Sequence, residues 1–98
     1  MKNWSGLAIA LVLLAAAIPG RAADGKQVYT KTCAACHNGL SPKLGDKAAW
    51  QPRIKRGVDA LVASAIKGKG GMPPRGGNAA LSDDDIKAAV EYMVSRGK

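Results

Sequence analysis

Cys33-Ala34-Ala35-Cys36-His37 is the stretch that decides how this chain is read. The spacing Cys-x-x-Cys-His is the attachment signature of c-type haem. On a helix, Cys33, Cys36 and His37 fall at i, i+3 and i+4 and share one face. Two thiols on that face can each add to a haem vinyl group as a thioether. The imidazole beside them can reach the iron from the same side, and His is a common proximal ligand. Cys33 and Cys36 are therefore the candidate attachment residues and His37 is a candidate axial ligand. Other uses of the motif fit less well. A zinc site needs four ligands, and the chain has two Cys and one His in total. A dithiol redox centre of the thioredoxin type needs a strand–helix–strand context, and no β-rich run surrounds Cys33. A plain disulfide would leave His37 without a purpose.

The N-terminus carries a different signal. Met1-Lys2-Asn3-Trp4 opens with a positive charge, residues 7–18 are uncharged and apolar, and Pro19-Gly20-Arg21-Ala22-Ala23 follows. This order describes a secretory signal peptide over residues 1–22, with cleavage after Ala22 or Ala23. The twelve apolar residues fall short of the ~20 that a membrane span needs, so no stable membrane insertion is expected. No cysteine follows the run, which excludes a lipid anchor at that point. Both cysteines lie inside the haem motif, leaving none for a structural disulfide.

The remainder, residues 23–98, is short enough for one domain. Chains of this size bury little core and need a staple. A covalently held haem supplies one, and the absence of Phe fits a cofactor that replaces bulky core side chains. The whole chain is +8; without Lys2 and Arg21, thirteen basic residues face seven acidic ones, a net +6. Such a surface suits nucleic acid, membrane or an acidic protein. An exported chain with no nucleic-acid motif points away from nucleic acid and toward an acidic redox partner.

The spacing predicts an all-α domain. Asp24 can cap a helix that starts near Gly25 and runs into the haem motif. Asn38-Gly39 would end it with residues that tolerate positive φ, and residues 39–45 read as a loop. Asp46 caps one short turn through Trp50, and Pro52 suits the first position of another over residues 52–56. Val58, Leu61, Val62, Ala65 and Ile66 recur at i, i+3, i+4, i+7 and i+8, an amphipathic helix stopped by Gly68 and Gly70. Residues 70–80 form a second loop, rich in Gly and Pro. Ser82 caps the last helix, with Asp83, Asp84 and Asp85 in its first turn. Ile86, Ala89, Val90 and Met93 make its buried face.

A haem held by one His keeps an open position unless the protein fills it. Residues 23–98 offer two methionines. Met93 lies on the apolar face of the last helix, where core filling explains it. Met72 sits in Gly70-Gly71-Met72-Pro73-Pro74-Arg75-Gly76-Gly77, where no periodicity does. Glycines let the backbone approach closely and prolines stiffen the segment. Met72 is the candidate second axial ligand, and His/Met ligation raises the reduction potential.

With these motifs in place, residues 24–98 resemble class I cytochrome c, and closely the small bacterial cytochromes of the c-five group. Gly25, Tyr29 and Cys33 match the family's N-terminal helix. Pro42-Lys43-Leu44-Gly45-Asp46-Lys47-Ala48-Ala49-Trp50 and Gly70-Gly71-Met72-Pro73-Pro74-Arg75-Gly76-Gly77-Asn78 match that group's segments. Val90-Glu91-Tyr92-Met93 matches its C-terminal helix. The resemblance implies N- and C-terminal helices that cross at Gly25, with Tyr29 and Tyr92 packed at the crossing. It implies one covalent haem c between helices and loops, with Cys33, Cys36, His37 and Met72 as its residues. It implies that a carbonyl at Pro42 accepts the His37 Nδ1–H bond. It also places Trp50 and Arg53 near the propionates; read as residues alone, they are equally a packed Trp and a solvated Arg.

The function implied is that of a monomeric periplasmic carrier of single electrons, not an enzyme, with protein redox partners. Two other classes share the motif. One is a haem enzyme or gas-binding protein with an open sixth site; its four-helix-bundle form carries the motif near the C-terminus, whereas here it lies near the mature N-terminus. The other is a haem subunit of a larger dehydrogenase or oxidase. Lys43, Lys47, Lys67, Lys69 and Arg75 cluster around the loops expected at the haem edge, as solvated surface or as a docking patch.

Overall fold

The computed structural model describes residues 23–98; the signal peptide expected over residues 1–22 lies outside them. Four helices carry the architecture. Helix α1 covers residues 25–37 in three contiguous pieces: an α-helical Gly25–Val28, a π-helical Tyr29–Cys33 and an α-helical Ala34–His37. Helix α2 is Lys47–Ile54, α3 is Val58–Lys67 and α4 is Asp83–Gly97, with a 3₁₀ turn at Pro74–Gly77. The described residues contain no strand, only an isolated bridge between Lys69 and Met72. None of their helices is long and apolar enough to cross a membrane.

The caps form where the sequence places them. Asp24 accepts from the Gln27 N–H at 3.2 Å, and Asp46 accepts from the Ala49 N–H at 3.2 Å. Ser82 accepts from the Asp85 N–H, and the Asp85 carboxylate accepts from the Ser82 N–H, each at 3.0 Å. This reciprocal box satisfies two donors that the start of α4 would otherwise leave open.

Three local readings change. The turn at Asp46 and the turn at Pro52 are one helix, α2, with Pro52 inside it. Pro52 removes the main-chain donor that Ala48 O would have met, which a short surface helix tolerates. Helix α1 ends without a left-handed residue: Asn38 has φ −92°, and Gly39 N–H and Leu40 N–H both turn back to Cys36 O. The third is the π-turn, closed by Ala34 N–H donating to Tyr29 O, five residues back.

The core sits where α1 crosses α4. Gly25 permits the crossing: a Cβ there would collide with the Ala88 carbonyl and lie 3.1 Å from Tyr92 Cβ. Tyr29 and Tyr92 flank that point, with ring centroids 5.6 Å apart and planes tilted by 47°. Ile86, Ala89, Val90 and Met93 are buried as the periodicity predicts, together with Val94. Tyr29, Trp50 and Leu61 complete the buried cluster. Trp50 lies against Gly97, which fixes α2 to the end of α4.

Candidate functional site: a haem crevice

The site begins at the C-terminal end of α1. The π-turn delivers Cys33 half-buried against the core cluster, while Cys36, one turn on, is exposed. Burial pushes the Cys33 thiol above its usual range. Dithiol redox centres depend on a thiol pushed the other way, so burial at Cys33 does not favour that use.

His37 is half-buried, and its ring is held by the loop that follows. Its Nδ1 lies 2.9 Å from Pro42 O. A carbonyl only accepts, so Nδ1 carries a proton, and in the neutral ring Nε2 is then the nitrogen with the lone pair. A metal-ligating imidazole needs this arrangement, with one nitrogen anchored and the other presented. The loop is itself pinned, since Leu44 N–H donates to His37 O at 3.0 Å. The carbonyl implied by the resemblance is thus the one in contact.

Trp50 and Arg53 each find a hydrogen-bond partner within the protein. Trp50 is packed, 4% exposed, and its indole N–H donates to Lys43 O at 2.9 Å. That donor is spent on closing the 39–45 loop onto α2. Arg53 folds back on its own helix, donating to Ala49 O at 2.7 Å.

Met72 and Met93 separate as expected. Met93 is 5% exposed within the core. Met72 is half-buried on a tight turn, where Lys69 N–H donates to Met72 O at 3.0 Å and Met72 N–H to Lys69 O at 2.9 Å. Gly68 seats this turn. It has φ +90°, and a Cβ on it would meet Pro74 N at 2.8 Å and Met72 O at 3.0 Å. Both the left-handed backbone and the space exclude other residues. The loop then reaches across to α1: Asn78 Nδ2 donates to Thr32 Oγ1 at 3.3 Å. The segment that bears Met72 is therefore tied to the residue preceding Cys33.

Arg75 has a role that the sequence does not announce. It adopts φ +55°, donates to Leu81 O at 3.1 Å, and pairs with Asp83 at 2.7 Å. It staples the Met72 loop to the start of α4, so its charge is compensated and it leaves the set of free docking cations.

A haem fits the surfaces that the polypeptide leaves incomplete. Of the apolar stripe on α3, only Leu61 is fully buried. Val58, Val62, Ala65 and Ile66 are half-covered, as are Cys33, Ala34, Leu44 and Leu81. A chain this short cannot cover that area itself, and a large apolar ligand beside His37 would.

Known proteins agree with this reading. Residues 20–93 match the family model described as cytochrome c oxidase, cbb3-type, subunit III. Cytochrome c-555 of Chlorobaculum tepidum is 51% identical over 79% of this chain and 78% of its own. Cytochrome c5 of Azotobacter vinelandii is 47% identical over 76% of this chain and 95% of its own. Among solved structures, a chain from an electron transfer complex of nitrite reductase with cytochrome c is 47% identical, with a TM-score of 0.72. The match covers 76% of this chain and 94% of that one. Fold, motif and relatives thus converge: the chain belongs to the small class I mono-haem cytochromes c, carries covalently bound haem c, and shuttles electrons between redox proteins.

Proposed function

We propose that Cys33 and Cys36 hold the haem as thioethers, that His37 Nε2 and Met72 are its two axial ligands, and that the protein is an exported, monomeric periplasmic carrier docking an acidic partner. The observation that carries the ligand assignment is the His37 Nδ1–Pro42 O bond of 2.9 Å. It orients the ring, sets its tautomer and raises the basicity of the free nitrogen. The haem supplies one site that takes and gives a single electron. The chain's own part is to hold that site from both sides, so that little rearranges as the charge changes. His37 is fixed by Pro42, and Met72 by the Lys69 turn and the Gly68 seat. With both axial positions filled there is no open coordination site for a substrate, which favours a carrier over an enzyme.

Export rests on residues 1–22, whose charged start, apolar run and small residues fit a cleaved leader. The acidic partner rests on the +6 excess of residues 23–98, which steers an oppositely charged protein and is screened by salt.

The axial assignment is tested by spectra and potential. The oxidised protein should show the weak far-red charge-transfer band of Met-ligated ferric haem. Met72→Ala should abolish it and lower the reduction potential, because a thioether favours the ferrous state. Met93→Leu conserves volume in the core and should do neither. Loss of the band in Met93→Leu but not in Met72→Ala would reverse the assignment.

A further inference from the structure

We infer that Arg75 is a positioning residue for the proposed sixth ligand: its side chain latches the Met72 loop to the start of α4 and so decides how often Met72 leaves the iron. This rests on the assignment of Met72 as that ligand. It concerns how firmly Met72 is held, not which residue it is.

The backbone gives the first sign. Among the described residues Arg75 is the one non-glycine residue with positive φ, at +55°. Gly76 and Gly77 beside it are also left-handed, at +64° and +89°. Glycine takes that conformation freely and asparagine tolerates it, whereas a long side chain is strained in it. Strain of this kind persists where the surroundings over-determine it. At Arg75 the side chain itself does so: one guanidinium nitrogen donates to Leu81 O at 3.1 Å and another meets the Asp83 carboxylate at 2.7 Å.

The fork grips a rigid element. Leu81 precedes Ser82, whose reciprocal box with Asp85 fixes the backbone at that point. Asp83 opens α4, where the helix dipole favours a carboxylate, and α4 is half of the core crossing. The link from Arg75 back to Met72 is short and stiff. Only Pro73 and Pro74 separate them, and Gly76 N–H closes the turn onto Pro73 O at 3.1 Å. The Lys69 turn on the other side of Met72 contains Gly70 and Gly71, around which a Cβ would meet nothing within 4 Å. That turn shapes the Met72 main chain without tying it to α4. Of the two bonds made by Arg75, the one to Leu81 O carries more. The Asp83 side chain is 71% exposed, and exposed ion pairs are weak.

The test is imidazole binding to the ferric holoprotein. Imidazole competes with Met72 for the iron, so its apparent affinity reports the fraction of molecules in which Met72 is away. Arg75→Asn suits the left-handed backbone but cannot reach Leu81 O. If Arg75 merely fills the turn, this variant relieves strain and imidazole binds no more tightly than to the wild type. If Arg75 positions Met72, imidazole should bind roughly tenfold more tightly. The far-red band should then fade at a lower temperature while helix content melts as before. Arg75→Lys keeps the charge but offers a single point donor, and should fall between the two. Asp83→Asn leaves the carbonyl bond and should change the affinity less than about threefold. Adding Asp83→Asn to Arg75→Asn restores the local charge balance and should not reverse the gain. An affinity within about twofold of wild type in both Arg75→Asn and Arg75→Lys, or loss of band and helix together at one lower temperature, would overturn the inference. The ligand assignment fails separately: if the wild-type ferric protein lacks the far-red band, or Met72→Ala keeps it, Met72 is not the ligand whatever the Arg75 variants do.

Discussion

The crossing of α1 with α4 and the loop that carries Met72 are held by different physics. At the crossing the polypeptide supplies everything. Gly25 allows contact with the Ala88 carbonyl, Tyr29 and Tyr92 stack obliquely, and Ile86, Val90, Met93 and Val94 are buried. The Met72 loop buries no residue fully. Its order comes from a few directional anchors: the Lys69–Met72 bonds, Asn78 to Thr32, and Arg75 to Leu81 and Asp83. Burial is cooperative and global, whereas single hydrogen bonds open locally at small cost. The crossing should thus set the stability of the whole domain, while the loop sets the stability of the proposed sixth ligand alone.

Four substitutions can break or sharpen that contrast. The largest effect is expected at Gly25→Ala, where the new Cβ meets the Ala88 carbonyl. Overpacking of that kind costs about 3 kcal/mol. In guanidinium titrations of the holoprotein, helix content and the far-red band should be lost together at a lower midpoint. Gly68→Ala should cost about 2 kcal/mol through its φ of +90° and the contact with Pro74. Here the far-red band should vanish well before the helices melt. Loss of both at one midpoint would show that loop and crossing are a single cooperative unit. Thr32→Val removes the acceptor for Asn78 and should weaken the loop by about 1 kcal/mol, read as a rise in the fraction of protein lacking the band on mild warming. The smallest change belongs to Tyr29→Phe. The Tyr29 hydroxyl is buried without a partner, and burial is the main reason its phenol is pushed above the usual range. Its removal should leave stability within about 0.5 kcal/mol or raise it. A clear loss would show that this hydroxyl gains a partner once the haem is in place.

The same contrast explains what could be read from the residues. The amphipathic helices were legible because burial imposes a period: Val58 through Ile66 and Ile86 through Met93 carry it openly, whereas the crossing at Gly25 followed from the resemblance to class I cytochrome c. Ser82, Asp24 and Asp46 were legible because a helix start needs a side-chain acceptor. The proposed ligand set comes from the adjacency of Cys33, Cys36 and His37 and from Met72 standing where no period explains it. The details of the loops were not. Arg75 looks like any surface cation until Asp83 and Leu81 are seen beside it. The tie of Trp50 to the main-chain carbonyl of Lys43 could not be foreseen, because such a partner leaves no trace in composition. Pro52 read as a start because that is its usual place, yet tertiary contact of Trp50 with Gly97 carries α2 through it.

The π-turn in α1 amounts to an adjustment of phase. In an unbroken α-helix, residues eight apart point about 80° away from each other, whereas residues seven apart differ by only ~20°. A π-turn absorbs one residue without advancing the helix beyond it. Gly25 and Cys33 are eight apart in the chain but are angled as though seven apart. The stripe that meets α4 therefore continues, almost without rotation, into the stripe that bears Cys33, Cys36 and His37. The surplus residue lies on the solvent side of the turn, where Thr30 and Lys31 are exposed. Deleting Lys31 should then be tolerated, because the helix would close into regular α geometry with both faces still in line. Deleting one residue from Ala34–His37 should not be, since no slack exists there to absorb it.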